Sequence, residues 1–302
     1  MSPTRTSPSQ AALQAPGAAG FTITEMMVAL VVFGIMASAA FGFMASQSRF
    51  YDAGGRVQTA QQEARGVTRI VITEIRRAGA GVNAMSASDP DIVIPNDGTV
   101  SKNTFDAHAV KLVSVNTSVP RVPLSATVGN GKKTRTFVDV PDTSSLGPLQ
   151  VGDAVYIEDS NSGNTQLLRV TNITSQGGGR RRLEHLNDAL EVDYPPSSSA
   201  VWIANEYRFR LGSASGDTWI ERRLPGSTSW DVVSENGTDI TFRYYDQAGT
   251  EITPNSAATR RAIRRIDISV SISIPAPGGR SGNKIDFTFK SSVNPRNLAL
   301  GA

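Results

Sequence analysis

The 302-residue chain contains no cysteine, which excludes disulfides, thiolate metal sites and cysteine nucleophiles together. It has two histidines, His108 and His185, too few for a histidine-rich metal centre. Charge is also sparse: 19% of the side chains are charged, where about a quarter is usual. The 30 basic and 27 acidic side chains leave a net charge of +3, which gives no electrostatic footprint for nucleic acid. Gly177-Gly178-Gly179 lacks the Lys-Ser/Thr ending of a phosphate-binding loop. Asp159-Ser160-Asn161-Ser162-Gly163 lacks the glycine register and closing glutamate of a calcium loop, so it reads as a turn. Asp89, Asp91 and Asp97, with Pro and Gly neighbours, read the same way. No repeat of fixed period is found. The chain is therefore expected to be no enzyme, with no cofactor and no metal.

What is present is concentrated near the N-terminus. Residues 1–20 are rich in Ala, Ser, Pro and Gln and carry one basic side chain, Arg5, so they cannot bury enough surface to fold. From Phe21 the chain turns apolar, and the 23 residues from Met26 to Ser48 carry no charge. As a helix they would span about 35 Å, enough to cross a bilayer. A secretory signal core of about 7–15 residues would be shorter than this run. Glu25 stands at the head of it, and a carboxylate there is costly unless paired. A cut after Gly20 would place a new α-amine on Phe21, one helical turn before Glu25. Cation and carboxylate at i and i+4 could then neutralise each other, within one chain or between neighbours.

Beyond the apolar run, Val57, Ala60, Ala64, Val67, Val71, Ile75 and Ala78 recur at steps of three and four. Gln61, Gln62, Glu63, Arg65, Arg69, Glu74 and Arg76 fill the positions between, which predicts an amphipathic helix with a narrow apolar stripe. Gly79-Ala80-Gly81 supplies its stop, and Gly34, Gly42 and Gly54-Gly55 are expected to weaken the helix where they fall. The remainder reads as strands and turns: Asp91–Ile94, Ala109–Val115, Thr136–Val140, Asp153–Glu158, Leu167–Ile173, Trp202–Leu211, Trp219–Leu224 and Ile240–Tyr245, of which Thr136–Val140 and Asp153–Glu158 alternate as strands with one wet face do. Ile266, Ile268, Val270, Ile272 and Ile274 alternate strictly with polar residues and mark a half-buried strand, repeated at Ile285–Phe289. Arg180-Arg181-Arg182 reads as a surface loop neutralised by Glu184, Asp188, Glu191 and Asp193. Arg260, Arg261, Arg264 and Arg265 lack the aromatic interleaving of a single-strand binder, so nucleic acid is not an expected partner. His108 and His185 stand alone and read as surface or packed histidines.

Gly20-Phe21-Thr22-Ile23-Thr24-Glu25 followed by an uncharged apolar run resembles the class III signal of type IV prepilins and pseudopilins. The resemblance implies cleavage after Gly20, N-methylation of Phe21 and a role for Glu25 as the assembly carboxylate. The leader is longer and less basic than many in that family, and Ala19 stands where Lys or Arg is common. Ile75-Arg76-Arg77-Ala78-Gly79, Val151–Ile157, Phe242-Arg243-Tyr244-Tyr245-Asp246 and Val293-Asn294-Pro295-Arg296-Asn297-Leu298 are similar to PilW-like minor pilins.

The fold so implied is α+β: a leader at 1–20, a pilin helix at 21–79 and a β-rich head at 80–302. The helix divides into a transmembrane part, 21–48, and an amphipathic part, 49–79, and the head carries an inserted β module at about 121–200. The resemblance further implies prepilin peptidase, membrane lipid, an inner-membrane assembly platform, major pilin, other minor pilins and a large tip adhesin as partners. The subunit would wait in the inner membrane with its head in the periplasm, then join the tip of an extracellular pilus serving adhesion and twitching. Two other readings stay open. A minor pseudopilin of a type II secretion system shares the N-terminal pattern, and a membrane-anchored periplasmic binding domain that never polymerises would leave Gly20 and Glu25 unexplained.

Overall fold

The computed structural model describes residues 20–80, 92–116, 118–127, 129–143, 149–186, 189–275 and 284–295. Residues 1–19, Asp89, Asp91, Asp188, the Pro-Gly-Gly turn before Ile285 and Arg296–Leu298 lie outside them. A single helix, α1 (Ile23–Arg77), runs for 55 residues. Packing divides the chain into two compact units with the boundary between Ala53 and Gly54. The first unit holds the lower part of α1, and among its described residues none is buried. The second holds the upper part of α1 and the whole strand-rich head.

In that upper part the apolar stripe lies where its spacing predicts. Ala60, Ala64, Val67, Val71, Ile75 and Ala78 are all buried and Val57 partly so, while Arg65, Arg69 and Arg76 face solvent. Thr68 also points inward and satisfies its hydroxyl on the Ala64 carbonyl, 2.8 Å away, within its own helix. Gly79 ends the helix in the left-handed region at φ 75°, which glycine adopts without a steric penalty. Its N–H donates to the Val113 carbonyl at 2.8 Å, so the chain leaves the helix directly onto the head. The expected weakening at Gly54-Gly55 does not interrupt α1, because the i to i−4 ladder survives glycine at a cost of about 1 kcal/mol per residue. The boundary between the two packing units nevertheless falls there.

The strands in chain order begin with β1 (Val93–Ile94), β2 (Ala109–Val115), β3 (Val122–Pro123), β4 (Phe137–Pro141) and β5 (Ala154–Asp159). There follow β6 (Thr165–Arg169), β7 (Asn172–Gln176), β8 (Arg180–Glu184), β9 (Ser199–Ala214) and β10 (Asp217–Arg223). The last are β11 (Asp231–Ser234), β12 (Gly237–Tyr245), β13 (Glu251–Ile252), β14 (Arg265–Pro275) and β15 (Lys284–Val293), with a short helix α2 (Ala257–Arg261) before β14. Every pairing is antiparallel. An eight-stranded sheet runs β1-β2-β9-β10-β11, with β3 and β5 also paired to β9 and β6 to β5. A four-stranded sheet runs β13-β12-β14-β15, and a three-stranded one β4-β8-β7.

The 16 residues of β9 organise the head. Its first part pairs with β3 and β5, its middle with β2, and its end with β10. Alternation along β5 and β9 splits their side chains between two cores. Ala154, Tyr156 and Ala204 join the α1 stripe, Phe209, Phe242, Tyr244 and the β14 isoleucines. Val155, Ile157, Val201 and Ile203 face the other way, onto Val138, Val140, Leu168, Leu183 and Tyr194. Strand β5 is consequently buried at all six positions, where its sequence suggested one wet face.

Two other expectations need correction. Leu167–Ile173 is not one strand: β6 ends at Arg169, and after Val170 the chain changes sheets, with the Thr171 N–H donating to Glu184 and beginning the approach to β7. Arg180-Arg181-Arg182 is strand β8 rather than a loop, and the three glycines before it make the hairpin turn from β7. Its charge is balanced, but chiefly by Asp142 on Arg181 at 2.8 Å and Asp139 on Arg182 at 2.8 Å, which lie across the β4 pairing and far off in sequence. The strand at β14 is as expected, with Ile266, Ile268, Val270, Ile272 and Ile274 all buried.

Candidate functional site

The Gly20–Phe21 junction lies outside α1. Gly20 and Phe21 are exposed, Phe21 at 84%, and the helix opens at Ile23 with Thr22 as its cap. Thr22 and Glu25 engage reciprocally. The Glu25 N–H donates to the Thr22 hydroxyl oxygen at 3.3 Å, and the Thr22 N–H donates to Glu25 Oε2 at 2.9 Å. The Thr22 hydroxyl donates to that same oxygen at 3.0 Å. This is a capping box, which satisfies N–H groups that an N-terminal turn leaves without intrahelical partners. It also fixes the carboxylate at the positive end of the helix, where the aligned peptide dipoles favour it. The sequence signal for it is Thr-x-x-Glu, which charge and hydropathy alone overlook.

Among the described residues nothing crowds position 20: a Cβ there would meet no atom within 4 Å. The same open space surrounds Gly34, Gly42, Gly54, Gly55 and Gly66 in α1.

Behind the junction, Met26, Met27, Val28, Leu30, Val31, Phe33, Ile35, Met36, Phe41, Phe43 and Met44 are all exposed. A helix apolar all round and buried nowhere needs another apolar environment, either lipid or other helices. Full burial of each such side chain is worth about 1.5–3 kcal/mol. This is the one helix, among the described residues, long and apolar enough to cross a membrane.

The other residues singled out in the sequence have local duties. Asp159 accepts from the Asn161 and Ser162 N–H groups at 3.2 Å and from the Ser162 hydroxyl, a turn that uses its oxygens internally. Arg260 is buried and donates to the Lys102 carbonyl at 2.9 Å and to Asn103 Oδ1 at 3.0 Å. Arg264 donates to the Arg261 carbonyl at 2.6 Å, and Arg265 lies 4.1 Å over the Tyr245 ring. This arginine group is therefore spent on its own fold. His108 Nδ1 stands 2.8 Å from Asp239 Oδ1 and 3.0 Å from the Ile240 carbonyl, and His185 is buried. Among the described residues no group of three or more histidines and carboxylates is placed to hold a metal ion.

Residues 16–41 match the model of the prokaryotic N-terminal methylation motif. This covers the junction and the first part of the apolar helix. No curated protein matches the chain. Among solved structures, a type IV-like pilin from Thermus thermophilus is similar at 10% identity, over 49% of this chain and 87% of that one, with a TM-score of 0.21. A likeness that slight carries neither fold nor function. The N-terminal segment thus carries a prokaryotic N-terminal methylation motif at the head of an apolar helix, and a strand-rich head follows.

Proposed function

We propose that this chain is a PilW-like minor type IV pilin, cleaved after Gly20, N-methylated on Phe21 and built into a pilus through α1. One observation carries the reading: the matched methylation motif coincides with an exposed Gly20–Phe21 junction, a capped Glu25 and an apolar helix left wholly unburied. An exposed, non-helical peptide bond is what a peptidase needs to reach. Glycine at position 20, uncrowded among the described residues, fits a requirement imposed from outside, by the peptidase pocket.

After cleavage the Phe21 amine becomes a cation beside a carboxylate already fixed one turn away. Glu25 then offers an oxygen to its own amine or to that of a neighbouring subunit as the helix leaves lipid for the filament. A buried carboxylate tolerates that transfer only when paired. Lateral packing would bury Phe33, Ile35 and Met36 among similar helices, with the open faces at Gly34 and Gly42 allowing close backbone approach. The chain would wait in the inner membrane with its head in the periplasm, then enter the pilus near its tip. Prepilin peptidase, the assembly platform, major pilin, other minor pilins and a tip adhesin are the partners of this reading.

The test has two parts. Mass spectrometry of the mature chain is expected to find an N-terminus at methylated Phe21, and a mature chain starting at Met1 would count decisively against the proposal. Glu25→Ala is expected to insert and be processed normally, yet to disappear from sheared pili. Normal recovery of that variant in the pilus fraction would sink the assignment. A minor pseudopilin of type II secretion shares these N-terminal features, and a deletion that stops protein secretion while leaving pili intact would select it.

A further inference from the structure

Strand β15 ends the four-stranded sheet, paired with β14 from Lys284 opposite Pro275 to Val293 opposite Ile266. That register runs without a shift, whereas the β12–β14 and β10–β11 pairings each contain one. Among the described residues no strand pairs with the far side of β15. The other strands at sheet edges are short. Strands β1, β3 and β13 have two residues each, β11 has four, and β4, β6 and β7 have five each, against ten in β15. A long edge carries a row of unpaired N–H and C=O groups, a template for another strand unless proline, a bulge or charge blunts it. Strand β15 has no proline and no bulge, and its charges are of both signs.

Its side chains divide by face. Ile285 and Phe287 pack against the core that α1 and β14 enclose, and Val293 is buried in it. Phe289 lies on the same side, opposite Val270, yet is 36% exposed. Lys284, Asp286, Thr288, Lys290 and Ser292 alternate onto the other face and are all exposed. Two of these are tied to the sheet. The Thr288 hydroxyl lies 3.0 Å from that of Ser271, and the Ser292 hydroxyl donates to Asp267 at 2.6 Å. No hydrogen bond or ion pair engages Asp286 or Lys290 among the described residues.

The spacing of those two charges suits a second copy of the same strand. The outward N–H and C=O groups of an antiparallel edge come from alternate residues, so two copies meet only with even positions opposite even ones. A two-fold axis between them then passes through a residue. Centred on Phe287, it sets Lys284 of each copy against Lys290 of the other, and like charges directly opposite are unfavourable. Centred on Phe289, it sets Asp286 against Ser292 and Lys290 against Thr288, so no charge is answered. Centred on Thr288, it sets Asp286 against Lys290 twice, Thr288 against itself, and Phe287 against Phe289 twice. This last register joins both signs of charge and covers the exposed Phe289 ring with an aromatic cross-strand pair, a favourable combination.

We propose that the chain self-associates through β15, in an antiparallel two-fold pairing centred on Thr288 that makes one continuous sheet of two four-stranded ones. This inference does not rest on the reading as a pilin. The chain has no cysteine of its own, so a single introduced one reports only on its own pairing. Thr288→Cys is expected to form a disulfide-linked dimer when the detergent-solubilised full chain is oxidised with diamide. Directly opposed Cβ atoms lie about 4.5–5.5 Å apart, close to what a disulfide spans. Ser292→Cys keeps both charge pairs but sets the two cysteines eight residues out of register, about 26 Å, and is expected to give no dimer. In the Thr288→Cys chain, Lys290→Asp opposes acid to acid twice and is expected to slow crosslinking about tenfold. Adding Asp286→Lys exchanges the charges and is expected to restore the rate to within about twofold. Thermal melts establish that each variant is folded. Equal crosslinking of Thr288→Cys and Ser292→Cys, as unspecific association through the exposed apolar helix would give, overturns the inference. So does the absence of any crosslink, which would leave this edge to a strand of another protein, and so does a charge exchange that restores nothing.

Discussion

Phe33, Ile35 and Met36 in the lower part of α1 are 66–70% exposed, whereas Val67, Val71 and Ile75 in the upper part are at most 2% exposed. Both sets sit on the same kind of backbone, with the same hydrogen-bond ladder and similar side chains. What differs is the company each set keeps. The upper part confines its apolar residues to one stripe and supplies a core from its own chain. The lower part spreads them around the helix and supplies none. A stripe specifies a partner surface within the protein, while all-round apolarity specifies a solvent. The two parts therefore fold for different reasons, and the boundary between packing units at Ala53–Gly54 marks the exchange of one for the other.

The sharpest way to break this contrast is to shorten one side chain on each side of it. Ile75→Ala should lower head stability by about 2–5 kcal/mol, because it empties a fully enclosed site. Ile35→Ala should change the same stability by less than about 0.5 kcal/mol in detergent, as expected of an exposed site outside the packing unit of the head. Similar changes in a thermal or denaturant melt would overturn this division. A smaller effect of opposite sign is expected from glycine. Gly66 is exposed in open space, so Gly66→Ala should raise head stability by about 1 kcal/mol, while Gly34→Ala should leave it unchanged.

Loss of the cap should be confined to the first turn. Thr22→Ala removes a hydroxyl that both accepts from Glu25 N–H and donates to its carboxylate, which costs about 1 kcal/mol of local helix. Amide exchange should rise in the turn from Ile23 to Met26, with no change in the head. The weakest effect concerns Glu74, whose side chain is 11% exposed and whose Oε2 finds no hydrogen-bond partner. Burial raises its carboxyl above the ordinary value, against the pull of Arg77 and Arg222. The folded state then binds the proton more tightly than the unfolded chain does. That contribution to stability is present below the ordinary carboxyl value and is lost as pH rises through the raised one. Glu74→Gln should flatten this part of the pH profile by less than about 1 kcal/mol, readable from melts at a series of pH values.

Elements whose physics is local could be read directly from the chain. The stripe from Val57 to Ala78, the stop at Gly79, strand β2 and the alternation of β14 each depend on neighbours a few residues away, and each lies where its pattern places it. The failures share a cause as well. Strand β5 looks half-wet until β4, β7 and β8 are known to cover its second face. The division of β6 from β7 depends on Glu184 receiving the Thr171 N–H, which no alternation announces. Arg182 and Arg181 of β8 are matched by Asp139 on β4 and by Asp142 just beyond it, which sequence proximity could not nominate. At the N-terminus the methylation motif was legible in the chain, whereas the cap that Thr22 and Glu25 form was not, because its signal is a Thr-x-x-Glu spacing and not a pattern of charge or hydropathy. The ion pairs of buried Glu206 were invisible, since Lys111, Arg169 and Arg208 reach it from three different strands, β2, β6 and β9.

Strands β5 and β9 present successive residues to opposite cores, so each core has the other's wall as its own. Neither can lose its packing without exposing the back of the strands that hold the other. The head should therefore melt in one calorimetric transition whose enthalpy equals the van't Hoff value, rather than shedding one β layer before the other. If the chain is built into a fibre as proposed, such all-or-none behaviour would leave no half-open head with a newly bared sheet edge to stick to its neighbours.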